Sequence, residues 1–118
     1  MKLLVVDDSL MMRKVVERTL APMNFTLVGS AANGEEALRI FTETLPDLVT
    51  LDISMPIMDG FTALVEMLKV KSDAKILMVT SQADNATTQE AMEKGAAGIV
   101  LKPFKADELI GKVNEVLA

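Results

Sequence analysis

The chain has 118 residues, half of them hydrophobic, with a formal net charge of -5 and a pI near 4.7. That length predicts one domain over 1–118, large enough to bury a core without staples, and the acidic balance argues against a nucleic-acid surface, which wants a basic stripe. With no Cys and no His, disulfides, zinc–thiolate sites, thiol nucleophiles and Ser-His-Asp catalysis are excluded.

Five apolar runs punctuate the chain, at 3–6, 26–29, 47–51, 75–79 and 98–101. The first is closed by Asp7 and Asp8 and is too short for a signal peptide. No run approaches the ~18 residues of a membrane span, so the expectation is a cytoplasmic protein without membrane insertion. Each run is followed by apolar residues at three- and four-residue steps, the spacing of an amphipathic helix. After the first these are Met12, Val15, Val16, Thr19, Leu20 and Met23. After the second come Ala37, Leu38 and Phe41, with Asn33 as a helix N-cap. After the third, Pro56, Asp59 and Gly60 form a turn before Phe61, Leu64, Val65 and Leu68. The fourth helix is expected to start near Asp84 or Asn85, or later at a Thr87-x-x-Glu90 capping box, with Ala91 and Met92 inward and Gly95 as its stop. The fifth carries Leu109, Val113, Val116 and Leu117.

Five strand–helix units predict an α/β fold with a parallel sheet and helices on both faces. The strands read as continuous apolar runs because both of their faces are covered. The natural arrangement is the five-stranded flavodoxin-like (βα)5 sheet, order 2-1-3-4-5.

In such a sheet the residues after each strand share one edge. They are Asp7 and Asp8 after the first strand, Asp52 after the third, Thr80 and Ser81 after the fourth, and Lys102 and Pro103 after the fifth. Strands one and three flank the switch point where open α/β sheets bind ligands. Each residue has a plainer reading: the Asp pair as a helix cap beside Ser9, Asp52 and Thr80 as turn residues, Lys102 as a solvated lysine. Their joint occurrence at four strand ends favours a site. Two unit charges 4 Å apart repel by about 4 kcal/mol at an effective dielectric of 20, so three carboxylates call for compensation. Lys102 supplies one positive charge and a divalent ion such as magnesium two more. With that ion in place Asp52 can act as a nucleophile toward a phosphoryl group. Neutralisation falls to the ion and Lys102, and the Thr80 hydroxyl can hold an equatorial oxygen.

The motifs Val5-Val6-Asp7-Asp8-Ser9, Leu51-Asp52-Ile53-Ser54-Met55-Pro56-x-Met58-Asp59-Gly60, Val79-Thr80-Ser81 and Leu101-Lys102-Pro103-Phe104 resemble the receiver domain of two-component response regulators. The likeness runs the length of the chain and is nearest to the single-domain chemotaxis type, to which the Met12-Arg13 pair adds. The resemblance implies a signalling switch rather than an enzyme acting on other substrates. Asp52 would be the phosphoacceptor and a sensor histidine kinase the donor. Asp7, Asp8, Asp52 and the Ser54 backbone carbonyl would hold magnesium (or manganese), and Thr80 and Lys102 would contact the phosphoryl group. It further implies a monomer that binds a downstream protein target, the flagellar motor or another effector, through the fourth helix, fifth strand and fifth helix, where Lys94, Ile99, Lys105 and Lys112 are candidates. A phosphatase is a further implied partner. One position departs from the pattern: Ile99 stands three before Lys102, where many receivers carry an aromatic residue, and the chain has no Tyr or Trp. Ser54 and Gln82 flank the phosphoryl site and are expected to tune hydrolysis. The nine methionines are mostly flexible core filler.

Three other functions stand beside this one. A phosphorelay intermediate would pass its phosphoryl group on to a histidine phosphotransfer protein. A phosphatase with an aspartyl nucleophile would set two carboxylates two residues apart after one strand, whereas Asp7 and Asp8 are adjacent and Asp52 is on another strand. A flavin or nucleotide module lacks its glycine-rich loop after the first strand and the aromatics to stack on a ring.

Overall fold

The computed structural model describes residues 1–82 and 84–118. The strands are β1 (Lys2–Val6), β2 (Thr26–Ala31), β3 (Leu48–Leu51), β4 (Lys75–Thr80) and β5 (Gly98–Leu101). The helices are α1 (Leu10–Leu20), α2 (Gly34–Thr44), α3 (Gly60–Val70), α4 (Asn85–Glu93) and α5 (Ala106–Leu117). The strands form one parallel sheet in the order β2-β1-β3-β4-β5, as the alternation predicts.

Side chains alternate between two cores. Leu4, Val6, Val49, Leu51, Ile76 and Met78 pack with Phe41, Leu64, Met67 and Ala91 of α2, α3 and α4. Leu3, Val5, Leu48, Leu77, Val79 and Val100 pack with Val16, Leu20, Leu109 and Val113 of α1 and α5. Both faces of the sheet are thus dry, which is why its strands carry no polar alternation.

The helix starts follow local chemistry. Ser9, Asn33, Asp59 and Asp84 are the N-caps of α1 to α4, each side chain accepting from the amide three residues on. In α5 the Glu108 carboxylate accepts from the Lys105 amide instead. Gly95, at φ +102°, ends α4 as expected. Several details differ from the sequence reading, among them that β1 starts at Lys2 and β3 at Leu48. Strand β2 runs two residues further, to Ala31, because it pairs with β1 as far as Val6. Thr80 is the last residue of β4 rather than the first beyond it, since it still pairs with Leu101. Met92 is not inward: it is 48% exposed, because α4 turns only Ala91 fully toward the sheet.

The segment after β3 is held from both sides. The Gly60 amide donates to the Ile53 carbonyl (2.8 Å) and the Gly34 amide to the Met58 carbonyl (3.0 Å). A Cβ on Gly60 would stand 2.1 Å from the Asp52 carbonyl oxygen, and one on Gly34 would stand 2.5 Å from that of Met58. Between them Ile57 sits at φ +70° with its side chain 75% exposed. Left-handed backbone costs a β-branched residue about 1–2 kcal/mol, and here little burial offsets it. Ile57→Gly is therefore expected to stabilise the fold by about 1 kcal/mol, raising Tm by about 4 °C in thermal unfolding. Gly60→Ala is expected to destabilise it by about 3 kcal/mol, because the obstruction is backbone and cannot rotate away.

Candidate functional site

Register assembles the site. Val6 pairs with Leu51, so the next residues, Asp7 and Asp52, lie abreast at the carboxyl edge. The amides of Asp7 and Asp52 extend the ladder, donating to the Ala31 and Val6 carbonyls at 3.0 and 3.1 Å. Leu51 pairs with Met78, which places Thr80 two positions beyond it on the neighbouring strand. The Lys102 amide donates to the Thr80 carbonyl at 2.7 Å, and the Lys102–Pro103 peptide is cis.

Asp7, Asp8 and Asp52 offer carboxylate oxygens within 4.8 Å of one another. Asp7 and Asp52 are buried and Asp8 is exposed. The Lys102 ammonium reaches inward over the sheet edge to Asp7 Oδ2 at 2.6 Å and stands 3.6 Å from Asp52 Oδ1. Asp7 Oδ1 accepts from the Ser9 amide (2.9 Å) and Asp52 Oδ1 from the Ile53 amide (2.8 Å). Burial pushes the Asp52 carboxyl above its ordinary pKa. Asp7 and Asp8 push the same way, while Lys102 and the Ile53 amide oppose them. Since Ser9 caps α1 with its hydroxyl, the Asp pair is not spent on capping.

These residues fit a hard divalent cation. Neither Asp8 nor Asp52 Oδ2 has a hydrogen-bond partner among the described residues, and the Asp7 oxygens keep further lone pairs. The Ser54 carbonyl likewise accepts no backbone hydrogen bond among the described residues. Thr80 is buried and its hydroxyl accepts from the Gln82 amide (3.1 Å), which leaves its proton free to donate. Gln82 Nε2 lies 3.4 Å from Ser54 Oγ, joining the two residues expected to flank the site. The loop from β4 to α4 contains Ala83, which lies outside the described residues.

The chain matches the Response regulator receiver domain model over residues 3–114. This chain belongs to the response regulator receiver family. It is similar to the chemotaxis protein CheY of Bacillus subtilis, 37% identical over 116 residues that cover 98% of this chain and 97% of that protein. It is 40% identical to the probable transcriptional regulator ycf27 of Guillardia theta, but there covers only 45% of the relative. Among solved structures it superposes with a TM-score of 0.96 on a chain of the CheX–CheY–BeF3–Mg2+ complex from Borrelia burgdorferi, at 29% identity over 99% of this chain and 89% of that one.

Sequence reading missed two supports of the receiver site. Arg13 donates to the Asp7 carbonyl at 2.6 Å, fixing the turn that carries both acids. Its position six residues after Asp7, one turn into α1, was the available signal. The second is the close approach of Gly60 to the Asp52 carbonyl, visible in sequence only as a turn glycine. Ile99 is half-buried and packs against the α2–α4 core. Lys94 and Lys112 are held in pairs with Glu90 (3.5 Å) and Glu115 (3.4 Å), and Lys105 is exposed.

A carboxyl whose pKa is raised on folding destabilises the fold above that pKa, and the loss is relieved as pH falls through it. Asp52→Asn is accordingly expected to raise the Tm of the metal-free receiver at pH 7 by several degrees, about 4 °C per kcal/mol removed. The difference from wild type should shrink as the pH approaches the ordinary carboxylate range. Added magnesium is expected to raise the wild-type Tm and to do so far less in Asp8→Asn, read by calorimetry at constant ionic strength.

Proposed function

We propose that this receiver is a response regulator of chemotaxis signalling, phosphorylated on Asp52 by a sensor histidine kinase and acting through a switched protein-binding face. The observation that carries the reading is the arrangement of Asp52. It is a buried carboxylate with one oxygen held by an amide and the other without a partner among the described residues, beside two further carboxylates and one lysine. Similarity over 98% of this chain to a protein named for chemotaxis, CheY of Bacillus subtilis, supports the chemotaxis assignment.

In this reading Asp7, Asp8, Asp52 and the Ser54 carbonyl hold magnesium, whose chemistry is to neutralise the incoming phosphoryl oxygens. Asp52 Oδ2 attacks the phosphorus of a phosphohistidine on the kinase. The P–N bond breaks, its electron pair stays on the imidazole nitrogen, which takes a proton from water, and an acyl phosphate forms on Asp52. Lys102, already 3.6 Å from Asp52, shifts from Asp7 toward the new dianion. Thr80 turns its free proton to a phosphoryl oxygen, and because its carbonyl binds the Lys102 amide, movement at β4 is felt at the start of the β5–α5 turn. The face of α4, β5 and α5 then changes population; going from 1:99 to 99:1 takes about 5.5 kcal/mol of differential stabilisation. With Ile99 already packed inward, the Thr80 loop and α4 carry the change rather than a swinging aromatic ring.

Intact mass after incubation with magnesium and a small-molecule phosphodonor tests the chemistry. One phosphoryl group is expected on wild type, and none without magnesium or in Asp52→Asn. An adduct that persists in Asp52→Asn would move the acceptor elsewhere. Lys102→Ala is expected to keep magnesium binding and lose most of the phosphorylation-dependent change at α4 and β5, read by amide NMR shifts.

A further inference from the structure

Asp8 is the exposed acid of the carboxylate cluster, and its side chain has no hydrogen-bond partner among the described residues. Its place at the sheet edge is therefore set by the two peptide planes that flank it, because these fix its φ and ψ. The plane after it is held by the Ser9 amide, which donates to Asp7 Oδ1 (2.9 Å). The plane before it is held by Arg13, whose Nη1 donates to the Asp7 carbonyl at 2.6 Å. Arg13 lies one turn into α1, and its own amide donates to the Ser9 carbonyl (3.0 Å). As a fastener of α1 the arginine is poorly suited. Its Nε is buried without a hydrogen-bond partner among the described residues, and burying a donor in that way is unfavourable. What the side chain secures is the Asp7–Asp8 peptide.

We propose that Arg13 is a positioning residue for the divalent cation: by fixing the Asp7–Asp8 peptide it holds the Asp8 carboxylate in place for the ion, and so sets the ion's affinity. The inference rests on the reading of Asp7, Asp8 and Asp52 as magnesium ligands. Two effects of the guanidinium oppose each other. Its charge repels a cation, while its bond to the carbonyl preorganises a ligand. Outer hydrogen bonds that orient metal ligands carry about 10- to 100-fold in affinity. The guanidinium makes no ion pair with the cluster among the described residues, so its charge acts on the ion only at longer range. Preorganisation governs, and removing Arg13 weakens the ion rather than strengthening it.

Magnesium titration followed by amide NMR, at pH 7 and constant ionic strength, tests it. Arg13→Met is expected to raise the magnesium Kd about 10-fold. Arg13→Lys, which keeps the charge and a donor, is expected to recover most of that loss. In the Asp8→Asn background Arg13→Met should change the Kd by less than ~2-fold, because the ligand it positions is gone. Unchanged or tighter binding in Arg13→Met overturns the proposal. So does an equal further loss in the Asp8→Asn background, which would mark a general loosening of the fold. Arg13→Gln gives the same comparison if the methionine variant does not fold. If Asp8→Asn alone leaves the Kd unchanged, the magnesium reading itself fails and the proposal falls with it.

Discussion

Three carboxylates gathered at one edge of a sheet repel one another, and the molecule is arranged around containing that repulsion. Lys102 supplies the nearest compensation, bound to Asp7 and close to Asp52. Main-chain amides of Ser9 and Ile53 add partial positive charge to one oxygen of each buried acid. The carboxylates still outnumber the one ammonium, and it is chiefly burial, with Asp7 and Asp8 adding to it, that holds the Asp52 carboxyl above its ordinary pKa. Three carboxylates beside one ammonium favour the uptake of a cation.

Holding charges this close requires a rigid frame, and the doubly covered sheet provides one. The acids stand on strand ends whose preceding residues are sealed in two dry cores. Around them the backbone is fastened by short hydrogen bonds: Arg13 to the Asp7 carbonyl, Gly60 to Ile53, Gly34 to Met58. The exposed, left-handed Ile57 lies in a segment clamped at both ends, where the surrounding contacts can sustain an unfavourable φ. By contrast α4 is short and buries only Ala91 fully. Few buried apolar contacts mean a low local free energy of opening. The element with the least invested in the core follows directly after the strand that ends in Thr80.

The receiver family supplies the broad identity, and the residues of this chain modify it. Ile99 replaces the usual aromatic residue by a branched aliphatic one that is already packed against the core. The Lys102 amide, bonded to the Thr80 carbonyl, ties the end of β4 to the start of the β5–α5 turn through backbone.

Much of this was legible in the chain itself. Continuous apolar runs alternating with helical spacing specify a parallel sheet, because only strands covered on both faces lack polar alternation. Acids, a threonine and a lysine placed after those runs specify a common edge, because parallel strands all end on the same side. Capping residues such as Asn33 and Asp59 could be placed because they act within three residues. Tertiary structure alone decided what depends on distance between remote segments: that Lys102 rests on Asp7 rather than Asp52, that Gly60 must be bare because the Asp52 carbonyl passes beside it, and that Met92 faces solvent. Those outcomes follow from register and packing between elements far apart in sequence, and no local pattern of residue types encodes them.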